Sequence, residues 1–396
     1  MPNSLSANSL LLPDNANTIM REYTILHTES STGWGGQEIR ILSESAGMID
    51  RGHRVLLACQ PNSTIAKRAG KYGIETFVLR MNGAFDIMAI KRLRTIIQTE
   101  RVTIVNTHSS KDSWCAGLAA KLTGNTKVVR TRHLSIPIKP GFASRLLYRI
   151  IPDAVVTTGE AIRKLVIEKA EVSPDRVVSI PTGIDLEQFD PSRVDGGLFR
   201  KELGLAEGTP LIGTVGMLRR MKGLQYFILA AARIQSHLPE TRFVIVGDTP
   251  GPSPVKDELM RLIRELGICD KVTIAGYRED IPNAMAGMDV FVLASTRDEG
   301  IPQVVTQALA MQKPVVATDV GGLREQIIHG KTGFLVERAN ADELANAVLS
   351  ILKNPSRSIE MGKSGRQLVT ERFSIKSMLD ATEALYARIL STTQTN

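Results

Sequence analysis

The feature that most constrains this chain is an alternation of short β-branched runs with helix-length amphipathic stretches, repeated nearly end to end. Six runs, Tyr23–His27, Val55–Cys59, Thr76–Leu79, Val102–Asn106, Val128–Thr131 and Ala154–Thr158, read as buried strands. Between the first two, Ile39, Leu42, Ala46 and Ile49 recur at spacings of three, four and three, which predicts a helix over 37–51 buried on that face. Strands alternating with helices imply parallel sheets covered on both sides.

The pattern pauses at residues 180–193 (IPTGIDLEQFDPSR), where two prolines and a glycine interrupt any period. It then restarts with Leu211–Val215, Phe243–Val246, Val272–Ala275, Val290–Ala294, Pro314–Ala317 and Thr332–Val336. The expected fold class is therefore α/β, with two doubly wound Rossmann-like domains facing across a cleft. The expected boundaries are 21–180, a hinge at 181–193, 194–372 and a final helical segment at 373–396. That last helix carries Ile375, Met378, Leu379, Leu385, Tyr386 and Ile389 on one stripe, interrupted only by Thr382. In open α/β sheets ligands bind beyond the carboxyl ends of the strands, so function is sought there.

Composition narrows the classes. A length of 396 residues suits two or three domains, and 43% apolar with 23% charged residues is ordinary for a globular chain. No stretch approaches the roughly 18 apolar residues of a membrane span. Residues 1–20 carry no Lys or Arg ahead of Leu10–Leu12, so they read as a disordered tail rather than a secretory signal. Cys59, Cys115 and Cys269 form no CxxC pair, and the six histidines lack metal-ligand spacing. A reducing cytoplasmic setting follows. Charge is uneven: residues 1–194 hold 25 Lys and Arg against 18 Asp and Glu, a net of +7, while residues 195–396 hold 24 against 23. Such a basic half suits nucleic acid, an anionic lipid surface or an anionic small substrate. With aromatics at 5% and no basic–aromatic interleaving, nucleic acid is not supported.

Three loops carry candidate chemistry. After the first strand, which should end at His27, the Gly-rich TESSTGWGGQE enters a helix; free amides there suit phosphate, and equally a tight turn. After Leu211–Val215, the run GMLRRMKG gathers Arg219, Arg220 and Lys222 near a helix start, where the dipole disfavours cations. A bound anion would offset that cost; a solvated basic loop is the plainer alternative. After Val290–Ala294 comes STRDEGIP, with Pro302 suited to the first helical position and Asp298 and Glu299 to sugar hydroxyls or to helix capping. His108 and His133 follow adjacent first-half strands and should face the cleft.

With these residues the chain resembles a family-4 retaining glycosyltransferase (glycosyl transferase group 1) of the GT-B fold, over nearly its whole length. The carriers are GGQE at 35–38, PTGID at 181–185 with its downstream Phe189 and Pro191, GMLRRMKG at 216–223 and VIVGD at 244–248. VTIAGYREDIP at 272–282 and the specific DEGIPQVVTQALAMQKPVVATDVGGLREQI at 298–327 complete the set. The resemblance implies transfer of a sugar from a nucleoside diphosphate sugar to an acceptor hydroxyl, in lipopolysaccharide or other cell-surface glycan or glycolipid synthesis. It implies a donor site of Gly35, Gly36, Arg219, Lys222, Tyr277, Arg278, Glu299, Gly300, Ile301, Pro302, Gln303 and Gln307. Gln37, His108 and His133 would face the acceptor, with His133, Glu299 and Lys222 closest to the chemistry.

The family pattern has an Arg where Met217 stands and a second Glu where Gln307 stands. Arg219, on the same loop, is expected to substitute for the missing cation. No DxD motif stands out, so neither a metal nor another cofactor is expected. The basic first half suggests a glycan or lipid-linked acceptor and peripheral docking on an anionic inner membrane face, with Lys91, Arg92, Arg94 and Arg101 beside one helix and the basic amphipathic segment at 139–151. A GT-B sugar-nucleotide epimerase and a catalytically silent nucleotide-sugar-binding protein are the competing readings.

Overall fold

The computed structural model describes residues 22–133, 137–139, 141–249, 251–297 and 299–392. The expected tail at 1–20 and Asp298 lie outside them. Two all-parallel sheets organise the chain. The first contains β1 (Thr24–Glu29), β2 (Arg54–Cys59), β3 (Glu75–Val78), β4 (Ile104–Thr107), β5 (Lys127–Arg132), β6 (Ala154–Thr157) and β7 (Val177–Ser179), in the order β3-β2-β1-β4-β5-β6-β7. The second contains β8 (Leu211–Val215), β9 (Arg242–Val246), β10 (Val272–Gly276), β11 (Val290–Leu293), β12 (Val315–Thr318) and β13 (Gly333–Val336), in the order β10-β9-β8-β11-β12-β13. Both sheets reverse direction of growth once, between β1 and β4 and between β8 and β11. Those switch points open crevices at the carboxyl ends of the strands.

Each sheet is buried on both faces, which is why its strands read as continuous apolar runs rather than as alternation. The short strand β7 lacks a sequence signal because two valines and a serine before the prolines are too few to show a pattern. The first strand extends beyond the expected end at His27 to Glu29, so His27 lies inside the sheet and is wholly buried.

The helix Gly36–Asp50 corrects the expected face. Its buried residues are Glu38, Arg40, Ile41, Leu42, Glu44, Ser45 and Met48, while Ile39 is exposed. Apolar spacing misreads it because the helix is covered on two sides. Ile41 and Leu42 join Leu57, Cys59 and Ile65, whereas Met48 joins the last helix. Between these contacts Arg40 pairs with Glu44 at 3.2 Å and donates to the Ile180 carbonyl at 2.5 Å, so two charges stay inside.

The last helix, Ile375–Ser391, packs Met378, Leu379, Leu385, Tyr386 and Ile389 against Ile25, Val55, Ile104 and Val129 of the first sheet. Tyr386 accepts a hydrogen bond from Asn106 at 3.1 Å. Where the chain crosses between the sheets, Ile184 N–H donates to Phe373 O at 2.7 Å and Ile375 N–H to Ile184 O at 3.1 Å. The two connecting segments therefore brace each other.

Candidate active site

The carboxyl edge of the first sheet is a buried polar network around its switch point. His27 Nδ1 lies 2.9 Å from His108 Nε2, and His108 Nδ1 lies 3.0 Å from His133 Nε2. The strands thus align three imidazoles in one chain from the sheet interior to the cleft. Burial holds all three below the ordinary histidine pKa. At His108 the neighbouring imidazoles and Arg40 add to the lowering, and at His133 Arg40 does. The group is therefore neutral at pH 7.

Beside it stand two carboxylates. Asp112 accepts from Thr28 Oγ1 and from the His108 amide, both at 2.9 Å, and from the Ser109 amide at 2.9 Å. Ser109 and Asp112 form a capping box on the helix Ser110–Thr123. Glu29 accepts from Ser109 Oγ and the Ser31 amide at 2.6 Å and from the Gln37 side chain. Burial, then the charge of Glu29, push Asp112 up to about 7, and burial raises Glu29 as well. Gln37 thereby sits at the mouth, held to Glu29 and to Ser109 Oγ at 2.9 Å.

The second sheet's edge is built differently. Lys222 ends a single helical turn, Arg220–Lys222, before the helix Leu224–His237, and its Nζ lies 2.6 Å from Glu299 Oε1. Ser295 Oγ donates to that same oxygen at 2.7 Å. Two glycines make this approach possible. Gly223 adopts φ +61°, and a Cβ there would lie 1.9 Å from Ala294 O; one on Gly321, at φ +55°, would lie 2.0 Å from Glu299 O. The KG and VGG signatures thus reflect backbone seated on backbone.

The expected cluster of unpaired cations is corrected. Arg220 pairs with Glu258 at 2.5 Å and Lys222 with Glu299, so carboxylates already offset two of the three charges. Arg219 is exposed and has no such partner among the described residues. Pro302 is also displaced from its expected position: with ψ 116° it caps the helix Gln303–Ala310 instead of opening it. Its ring still blocks no helical hydrogen bond there.

The two edges meet. Gln303 Nε2 donates to Gly36 O at 3.2 Å. The Glu325 carboxylate accepts from the amides of Glu160 and Ala161 at 2.8 and 3.0 Å, capping a first-domain helix from the second domain. Gln303 thus meets Gly36, which Gly35 and Gln37 flank; Lys222, Glu299, Gly300 and Ile301 lie on the second sheet's loops, and His108 and His133 at the first sheet's edge. Gln307 lies one turn along the helix from Gln303 and is half-buried. Tyr277 is exposed just past β10, and the Arg278 side chain pairs with Glu202 and Asp280. His27, Glu29, Asp112, Ser295 and Glu325 were not anticipated. Only Asp112 had a readable signal, the S-x-x-D capping pattern at 109–112.

Known proteins match this chain in sequence and fold. A model described as Glycosyltransferase Family 4 matches residues 34–188, and one described as Glycosyl transferases group 1 matches residues 197–368. The chain is 28% identical to the Escherichia coli UDP-Gal:alpha-D-GlcNAc-diphosphoundecaprenol alpha-1,3-galactosyltransferase, over 76% of this chain and 79% of that one. It is 26% identical to the N-acetyl-alpha-D-glucosaminyl L-malate synthase of Bacillus anthracis, over 77% and 80%. A crystal structure of a Rickettsia africae glycosyltransferase superposes with a TM-score of 0.85 at 25% identity, covering 93% of this chain and 99% of that one. Anabaena HepE in complex with UDP shares the fold at a TM-score of 0.80 and 22% identity, over 93% and 100%. The chain belongs to the glycosyl transferase group 1 (family 4) enzymes of the GT-B fold, and is a glycosyltransferase that takes its sugar from a nucleotide sugar.

Proposed function

We propose that the enzyme transfers a hexosyl-type sugar, with retention and without a metal ion, to a hydroxyl of a lipid-linked glycan at an anionic membrane face. What supports the donor half is the Lys222–Glu299 contact at 2.6 Å, on the same edge as Gln303, whose side chain reaches Gly36 O at 3.2 Å. An incoming diphosphate exchanges for Glu299 at the Lys222 ammonium. Glu299 is then released to accept hydrogen bonds from sugar hydroxyls, so one swap loads both groups.

The chemical difficulty is negative charge growing on the departing diphosphate. Lys222, Arg219, the Gly36 amide and the amides opening the helix Gln303–Ala310 lie where that charge develops. Gln307 holds the ribose, the main chain at Tyr277 and Arg278 meets the base, and Gln37, His108 and His133 line the acceptor side. The leaving phosphate oxygen takes the acceptor proton.

For the acceptor, the support is surface chemistry at the first domain's cleft rim. Phe85, Ile87 and Met88 are 66%, 65% and 75% exposed, and the helix Ile87–Thr99 continues with exposed Lys91, Arg92 and Arg94. Apolar anchors beside cations suit an anionic lipid surface, at about 1 kcal/mol per cation. The segment at 139–151 contributes less than its sequence suggests. Leu147 enters the core, and Arg145 and Arg149 both pair with Glu171, leaving Phe142 and Ile150 outside. Among the described residues no helix is long and apolar enough to cross a membrane, so contact of this kind is peripheral. The Escherichia coli relative's diphosphoundecaprenol acceptor is consistent with this reading.

A thermal-shift panel of UDP-, GDP- and ADP-sugars tests the donor half. A ligand at 100 times its dissociation constant adds about 2.7 kcal/mol of stability. Donor binding with neither transfer nor slow donor hydrolysis would sink the enzymatic reading. Salt-sensitive co-flotation with anionic liposomes tests the membrane half, and its loss in a Phe85→Ser/Met88→Ser variant is expected.

A further inference from the structure

The chain of three imidazoles constrains where its protons sit. A neutral imidazole carries one N–H and one lone pair, and each contact along the chain needs one of each. Only two arrangements satisfy both contacts. In the first, His27 Nδ1–H donates to His108 Nε2 and His108 Nδ1–H donates to His133 Nε2, so His133 presents Nδ1–H to the cleft. In the second every proton moves to the other nitrogen, and His133 presents a lone pair.

The inner end of the chain decides between them. His27 Nε2 is buried and has no hydrogen-bond partner among the described residues. The first arrangement leaves a lone pair there; the second buries an N–H with nothing to accept it. Orphaned buried donors are the rarer and costlier defect. Arg40, a wholly buried cation close enough to act on all three rings, also disfavours any added proton, with Glu44 the opposing charge at His27. At the outer end, His133 Nδ1 makes no hydrogen bond among the described residues, and the residue is half-buried at the cleft.

We infer that His27 and His108 are positioning residues that lock His133 as its Nδ1–H tautomer, so the first domain offers the cleft one neutral hydrogen-bond donor at that point. The inference rests on the reading of this cleft as the sugar-transfer site. It implies selection for a ligand group that can accept, such as a hydroxyl or phosphate oxygen, over one that only donates, such as an ammonium on an amino sugar. A site built to one polarity discriminates more strongly than an apolar wall does.

The test is the ring-nitrogen NMR spectrum of the full-length, ligand-free protein with 15N-labelled histidine, His133 being assigned by its loss in His133→Asn. The expected result is three Nδ1–H tautomers at pH 7.5; a proton on Nε2 of His133 would overturn the inference. Because no ligand is present, this outcome is independent of whether the donor and acceptor are correctly identified. A kinetic arm follows. His27→Phe keeps a planar ring and breaks the chain, so His133 should show mixed tautomers and kcat should fall about tenfold at unchanged KM for the donor. His27→Asn, whose amide N–H replaces Nδ1–H, should restore both spectrum and kcat. A His27→Phe enzyme with the parental spectrum and kcat, or a His27→Asn enzyme no better than it, would overturn the positioning role. Should His27→Phe not fold, the parental spectrum decides alone.

Discussion

The two carboxyl edges occupy equivalent places in their sheets and are opposite in character. The first buries its polar groups and bonds most of them: among the described residues Glu29 and Asp112 take seven hydrogen bonds between them, and the imidazoles bond to each other, with His27 Nε2 left over. The second keeps a thinner set nearer solvent, with Lys222 and Glu299 paired and Arg219 open. A densely bonded buried network resists rearrangement, whereas a partly exposed pair can exchange one partner for a ligand. Removing a buried charge beside the first edge should therefore appear chiefly in folding, and removing one at the second chiefly in turnover.

The largest expected effect tests the folding half. Arg40→Met leaves Glu44 buried beside an uncapped Ile180 carbonyl and should cost about 3–5 kcal/mol in urea unfolding. A loss below about 1 kcal/mol would remove the distinction between the edges. Next, Lys222→Met should lower kcat by roughly 10²–10³ while leaving the unfolding midpoint within about 1 kcal/mol of the parent. Equal damage to both would mean that Lys222 is structural. Arg219→Ala should cost about 1.5–3 kcal/mol of transition-state stabilisation, read as kcat/KM for the donor; unchanged donor affinity and turnover would refute its substitution for the residue absent at Met217.

The smallest effect is a slope with pH. The unfolded Asp112 carboxyl has an ordinary pKa near 3.8, against about 7 when folded, so the unfolded chain loses this proton first as pH rises. This carboxyl's contribution to stability therefore falls between those values. The buried histidines act oppositely: the unfolded rings gain protons first below about 6.5, so stability is lost on acidification. Asp112→Asn removes only the first slope. Its deficit in thermal melts relative to the parent should be smaller at pH 8 than at pH 5, by on the order of 1 kcal/mol. A deficit independent of pH would show that Asp112 is ionised at both.

The contrast also explains what was legible. On the second edge the informative residues lie close together in sequence, because one loop after each strand supplies them: GMLRRMKG and DEGIP each stand as a unit. Their partners were not legible. The seating of Lys222 on Glu299 spans 77 residues, and that pairing overturned the picture of three unneutralised cations. On the first edge the histidine chain draws on positions 27, 108 and 133, with no local signature at the first. His27 looked like a strand terminus because the polar run HTESS hides two further strand residues.

By itself the sequence determined the fold class, because runs buried on both faces alternating with amphipathic helices have few other stable layerings. It also marked the Gly-containing loops at the second sheet's edge, which stand as contiguous runs. Which charges are neutralised, which face of the helix Gly36–Asp50 is buried, and that three imidazoles line up follow from packing in three dimensions. Those outcomes depend on distances between residues remote in the chain, and hydrogen bonds and ion pairs are decided over a few tenths of an ångström that no local pattern encodes.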